Sequence, residues 1–242
     1  METTSSPVRR SGGRFSRALS WAVLWLGTAW VTTGAEPAWM GRNTTSWEKD
    51  MQAFVEADRK NPPPTNAVLF VGSSSIRLWK TLETDFPKHH VINRGFGGSI
   101  LIDSIYFADR IITPYRPRMV VVYAGTNDIN DGKKPAEVEG DFRALTAKIH
   151  TVLPETRIVF ISVAANPKRW SQRKDIRDAN GRVSRFCDTD DRLVFVDAFS
   201  NMLGPDGNPL PDIFVEDRLH MNAKGYAMWT ELITPWMPKP DR

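Results

Sequence analysis

The feature that most constrains this chain is an alternation: five short runs rich in Val, Ile, Leu and Phe, each separated from the next by a stretch long enough for a crossover helix. The runs cover residues 67–71, 90–93, 119–124, 157–163 and 193–197. A strand that is apolar on both faces has to be covered on both, which is the situation of a parallel sheet between helical layers. Residues 103–112, 136–153 and 175–187 read as helices, and Tyr226, Trp229, Ile233 and Trp236 share one face of a last helix over 223–236. Strand and helix in strict alternation, joined by right-handed crossovers, predict an α/β fold with a five-stranded parallel sheet and helices on both sides. At 242 residues with 41% apolar and 25% charged side chains, the chain has the length and composition for one sizeable core.

Two segments precede this pattern. Residues 1–35 carry Arg9, Arg10, Arg14 and Arg17, then an apolar run from Ala18 to Val31, then Thr33-Gly34-Ala35. A basic leader, an apolar run too short for a comfortable span and a small-residue exit read as a signal peptide cleaved after Ala35, with an uncleaved anchor as the competing reading. The expected location is therefore secreted or periplasmic. Arg9-Arg10 is followed by Ser11-Gly12-Gly13, a poor continuation for a twin-arginine signal. Residues 36–66 read as a flanking helix over 46–59 and a connector through Asn61-Pro62-Pro63-Pro64-Thr65, leading into a domain over 67–238. Thr45-Ser46-Trp47-Glu48 resembles a capping box, and Trp47, Met51, Phe54 and Val55 recur at helical spacing.

Charge and cysteine content exclude several classes. The leader holds four arginines against Glu2, a net of +3, which leaves +1 of the formal +4 for the remainder. That gives no basic face for nucleic acid. Cys187 is the single cysteine, so an intrachain disulfide, a dithiol centre and a cysteine-ligated metal site are ruled out within this sequence. It reads as an apolar core residue, with Asp188 disfavouring a reactive thiolate.

In an open parallel sheet, ligands bind outside the carboxyl ends of the strands, where strand order reverses. Three glycine-bearing loops follow the first three runs: Gly72-Ser73-Ser74-Ser75, Gly95-Phe96-Gly97-Gly98 and Gly125-Thr126-Asn127-Asp128. A fourth stretch, Asp217-Arg218-Leu219-His220, lies before the last helix. A serine at a strand-to-helix turn is an exposed hydroxyl that a base can activate, although such serines also serve as helix caps. Of the four histidines, His89 and His90 fall at a surface turn and His150 near a helix C-terminus. His220 stands three residues after Asp217, close enough for the carboxylate to hold one ring nitrogen and leave the other free. Gly98 offers a backbone N–H without a Cβ, and Asn127 a side-chain amide, as donors to an oxyanion. Asp128 reads mainly as a turn residue capping the next helix. A phosphate loop is a weaker reading of Gly95–Gly98, since Ile100 occupies the last position of Gly-x-Gly-x-x-Gly and no Walker lysine follows.

Val-Gly-Ser-Ser-Ser-Ile-Arg, Asn-Arg-Gly-Phe-Gly-Gly, Tyr-Ala-Gly-Thr-Asn-Asp and Asp-Arg-Leu-His together resemble the four blocks of the GDSL-like, or SGNH, serine esterases, over about 68–236. The similarity is closest to the branch that includes the platelet-activating-factor acetylhydrolase subunits. The resemblance implies a flavodoxin-like α/β/α sandwich of strand order 2-1-3-4-5. It implies Ser74 as nucleophile, His220 as base, Asp217 as its partner, and Ser74, Gly98 and Asn127 as oxyanion donors, with no cofactor or metal. One position departs: the family's Gly-Asp-Ser is Gly72-Ser73-Ser74 here, which leaves Ser73 as a rival hydroxyl. The expected substrate is a small ester of a short acyl group or an acetylated carbohydrate; Trp79 and Trp170, near loops that border the site, are candidates to stack on sugar rings and Arg77 and Arg94 to contact an anionic substrate, although core or lid packing and ion pairing are the stronger readings of them. Two other readings compete, a catalytically silent carbohydrate-binding protein and a flavin- or phosphate-binding module.

Overall fold

The computed structural model describes residues 43–240; the leader and the export reading fall outside them. The five apolar runs form strands β1 (Val68–Gly72), β2 (Val91–Gly95), β3 (Met119–Tyr123), β4 (Arg157–Ile161) and β5 (Leu193–Val196). They make one parallel sheet of order β2-β1-β3-β4-β5, as the sequence implied. Order reverses between β1 and β3, so the crevice for a ligand opens at the ends of those two strands.

The helices are α1 (Glu48–Lys60), α2 (Ser74–Arg77), α3 (Leu82–Asp85), α4 (Leu101–Ile111), α5 (Thr126–Asn130), α6 (Pro135–Val152), α7 (Arg173–Cys187), α8 (Ala198–Asn201) and α9 (Ala223–Ile233). On one face of the sheet, α6 packs between α4 and α7, with Phe142 against Phe160 of β4 at 4.7 Å between ring centroids. On the other face, Trp229 of α9 meets Tyr123 of β3 at 4.6 Å, and Trp79 fills the space between Phe70, Tyr226 and Trp229. Each such aromatic contributes about 1.5–3 kcal/mol on leaving water. Trp79 is therefore core, 1% exposed, its indole N–H donating to Asp85 at 2.6 Å.

The expected capping box before α1 does not form. Asn43 Oδ1 accepts from the Thr45 amide and hydroxyl at 3.2 and 2.7 Å, opening a 3-10 turn, Thr45–Trp47, one turn earlier. Of the apolar positions on α1, Met51 is buried but Val55 is 59% exposed, so the buried stripe is narrower than the spacing predicts. Polar contacts also hold the helix to the body. Arg110 of α4 makes two bonds to Glu48, and Arg94 of β2 meets Asp58 at 2.5 Å.

Candidate active site

The turn after β1 is set by one close approach. A Cβ on Gly72 would lie 1.9 Å from the Tyr123 carbonyl oxygen, and its φ of +140° is one that side chains rarely adopt. The chain then hands Ser73 N–H to that same carbonyl at 3.1 Å and enters α2 with Ser74 as its first residue. Tyr226 of α9 donates its hydroxyl to Ser75 O at 2.9 Å, fixing the turn from behind. The capping reading of Ser73 does not hold: its side chain makes no cap bond, is 1% exposed, and its Oγ has no hydrogen-bond partner. Ser74 is half-buried and its Oγ lies 2.8 Å from His220 Nε2. The α2 helix is a single turn, so its macrodipole adds little and local donors matter more.

His220 arrives on a tight return before α9. Phe214 and Met221 pair as an antiparallel bridge, Val215 N–H donates to His220 O, and Arg218 N–H donates to Val215 O, both at 2.9 Å. Asn222 ties this return to the helix: its Oδ1 caps the Lys224 amide at 2.9 Å while its Nδ2 donates to Asp212 O and Phe214 O. Arg218 sits at φ +59°, the left-handed region, and its carbonyl accepts Lys168 N–H at 3.1 Å; strain of this kind persists only where surroundings over-determine it. Asp217 Oδ1 accepts the amides of Leu219 and His220 at 2.9 Å each, and Oδ2 lies 2.5 Å from His220 Nδ1. Burial acts to raise the Asp217 pKa, but the His220 amide, its imidazole and the Leu219 amide outweigh it and hold the carboxyl at about 2. It is an anion throughout the neutral range, and its share of stability is lost as pH falls from about 4, the unfolded value, to about 2.

The second and third loops meet beside this line. Asn93 spans β2 and α2, accepting Gly95 N–H at 2.9 Å and donating to Ile76 O at 2.7 Å. Phe96 N–H donates to Gly72 O, and Gly98 follows at φ +76°. Asn127 Nδ2 donates to Ser99 O at 3.0 Å, which joins it to the loop bearing Gly98 and leaves its second amide proton uncommitted. Arg169, which sequence reasoning missed, holds the other end of that amide: Nη1 donates to Asn127 Oδ1 at 2.9 Å and Thr126 Oγ1 at 3.2 Å. Asn166 positions this arginine by accepting its backbone N–H. Burial lowers the Arg169 pKa, opposed by Tyr123 and Asp131; a guanidinium stays charged regardless. The available signal was an arginine in the loop after the fourth strand, which the topology puts at the same sheet edge.

Asp128 caps a helix, but not the next one. It is fully buried and Oδ1 accepts the Leu101 amide at the start of α4, 3.1 Å away. Burial pushes its pKa up to about 6, against the pull of Lys133 at 3.6 Å. The remaining candidates lie elsewhere. Arg94 is buried between the rings of Phe54 and Tyr115 and pairs with Asp58. Trp170 is half-buried and stacks on Phe199, and Arg77 flanks Gly97. His89 is half-buried and His90 exposed, and His150 Nε2 lies 2.9 Å from Thr156 O. Cys187 is buried, and burial with Asp188 pushes its thiol to about 12. Among the described residues no group of three or more His, Cys, Asp or Glu is arranged to hold a metal ion.

A hydroxyl, an imidazole and a carboxylate in line at the switch point of a parallel α/β sheet form an arrangement in which a base can activate a hydroxyl. The chain belongs to the GDSL-like lipase/acylhydrolase family, whose sequence profile matches residues 71–228, and it is an ester-cleaving hydrolase. No curated protein matches the chain. Solved structures do. A Streptococcus pneumonia protein described as a platelet activating factor is 19% identical with a TM-score of 0.69, covering 78% of this chain and 91% of its own. A GDSL-like lipase from Bacteroides thetaiotaomicron is 20% identical with a TM-score of 0.66, covering 77% and 96%. A catalytic variant of an acetylxylan esterase from Geobacillus stearothermophilus is 14% identical with a TM-score of 0.57, covering 73% and 98%. At these identities the likeness is one of fold.

Proposed function

We propose that this hydrolase is an exported serine esterase in which Ser74 is the nucleophile, His220 the general base and Asp217 the group that steadies the imidazolium. The observation that carries the reading is the unbroken line from Ser74 Oγ through both His220 nitrogens to Asp217, at 2.8 and 2.5 Å. With Nδ1–H hydrogen-bonded to the Asp217 carboxylate, Nε2 accepts the Ser74 hydroxyl proton as Oγ bonds the ester carbonyl carbon. The carbonyl oxygen, now an anion, is met by the Ser74 and Gly98 amides and by Asn127 Nδ2; each such donor is worth about 10²–10³ in rate. His220 then protonates the departing alcohol, and water attacks the acyl-enzyme by the same path to release the acid and restore Ser74.

The substrate class we favour is a short acyl ester, with acetyl groups on an extracellular polysaccharide as the specific case. An acetylxylan esterase among the proteins of like fold supports the acetyl reading, and the basic, apolar leader supports the extracellular one. The test is a panel of esters from acetyl to long-chain, with acetylated oligosaccharides included, assayed on wild type and Ser74→Ala. Hydrolysis concentrated on acetyl substrates is expected, with kcat falling by at least about 10³-fold in Ser74→Ala. Full hydrolysis by Ser74→Ala, with Ser73 intact, would sink the assignment. Failure of folded wild type to react with a fluorophosphonate would instead favour a silent carbohydrate-binding protein.

A further inference from the structure

The Gly98 donor belongs to a peptide unit that the chain itself does little to orient. The carbonyl of Gly97 and the amide of Gly98 lie in one plane and point opposite ways, so the direction of one sets the direction of the other. Rotation of that plane occurs about the ψ of Gly97 and the φ of Gly98, and both residues lack a Cβ. A Cβ at Gly98 would have nothing within 4 Å, so packing does not restrain it from that side. Apart from the Arg77 side chain against Gly97, little in the loop itself holds such a peptide, and were it to turn over, a carbonyl oxygen and not an N–H would face the oxyanion.

One contact opposes this. Trp47 Nε1 donates to Gly97 O at 2.9 Å, across fifty residues of sequence. The indole is itself held: its ring meets Phe96 edge-on at 6.1 Å, and the next residue, Glu48, takes both bonds from Arg110. Trp47 lies outside the family match of residues 71–228, so the contact comes from the segment that precedes the family's own blocks. We propose that Trp47 is a positioning residue, which locks the Gly97–Gly98 peptide in the orientation that presents the Gly98 N–H to the oxyanion. The bond also polarises the amide, making that N–H a better donor. This assigns a task to the 3-10 turn ahead of α1: it closes the active-site loop from outside the sheet. The inference rests on the esterase reading above.

The test is Trp47→Phe, which keeps an aromatic ring against Phe96 and removes the N–H, assayed with 4-nitrophenyl acetate beside wild type and Ser74→Ala. Loss of one hydrogen bond of ordinary net strength should lower kcat about 2- to 10-fold with KM within about twofold. A trifluoromethyl ketone, whose serine adduct carries the oxyanion, should bind more weakly by the same factor. If Trp47→Phe does not fold, replacing the indole at position 47 by benzothiophene, through suppression of a stop codon, removes the N–H at constant shape. An unchanged kcat in a folded variant overturns the proposal, and so does a raised KM at unchanged kcat, which would mean contact with substrate. Either result leaves the esterase reading standing as long as Ser74→Ala is inactive; activity in Ser74→Ala overturns that reading itself.

Discussion

At the scale of single residues, two serines that are neighbours in sequence have opposite surroundings, and the difference can be measured. Ser74 Oγ meets His220, whereas Ser73 Oγ is buried with nothing to bond. A buried hydroxyl left unpaired costs about 1–3 kcal/mol, so Ser73→Ala is expected to be neutral or to raise the unfolding midpoint, with ester hydrolysis largely kept. Loss of activity on that change would shift suspicion to Ser73. Arg169 makes the complementary case. Its guanidinium bonds Asn127 and Thr126 at once, which a shorter lysine ammonium on a flexible stem cannot copy. If Asn127 serves the oxyanion as proposed, Arg169→Lys should lower kcat about 10-fold or more while KM holds, since a charge-assisted bond of about 1.5–3 kcal/mol fixes the orientation of the Asn127 amide. Legibility divides along the same line. Asp217 and His220 could be paired from sequence because the contact is local, three residues apart on one return. Arg169 and Trp47 could not, because each acts on a loop more than forty residues away, and neither residue type announces that partner.

At the scale of elements, the strands were legible because burial on both faces leaves a continuous apolar run, and the long helices because their apolar faces repeat. Helix starts were harder to read, since caps come from outside the helix. The start of α4 is the instructive one: Asp128, read as a cap of the helix after it, lies on α5 and accepts the Leu101 amide instead. Lys133, in ion-pair reach of Asp128, also bonds Asp141, so a buried and a half-buried carboxylate share one ammonium. Burial raises the pKa of each, opposed by that lysine. The folded state therefore keeps the Asp128 proton up to about pH 6, while the unfolded chain releases it near pH 4. Between those values the folded state holds more protons, so this group lowers stability as pH rises through the window and adds no further change above it. Asp128→Asn keeps an acceptor for Leu101 and removes the titration. Urea unfolding across pH 4–7 should show the variant gaining on wild type between about pH 4 and 6, by on the order of 2 kcal/mol, and running parallel to it above. Parallel curves throughout would mean that Asp128 titrates normally.

At the scale of the whole molecule, the sequence separates a flanking helix over 46–59 from a domain that begins near residue 67, and the contacts argue that the two stand or fall together. Arg94 of β2 is 6% exposed, its guanidinium between the rings of Phe54 and Tyr115, and its carboxylate partner, Asp58, lies on α1. Tyr115 donates to the same carboxylate. The buried cation thus belongs to one side of the proline-rich connector and its counter-ion to the other. A chain begun at residue 67 keeps every strand and all four family blocks, yet leaves Arg94 without that anion. Removing one partner of a buried pair costs about 3–5 kcal/mol, against a total stability of about 5–15 kcal/mol for a domain. The same cut removes Met51 from the core and Trp47 from Gly97. The shortened chain should unfold at markedly lower urea and hydrolyse esters more slowly even where it is folded. Arg94→Met in the shortened chain separates the causes: it should recover part of the stability by removing the unpaired charge, and none of the kcat, because the indole that holds the Gly97 carbonyl is still missing.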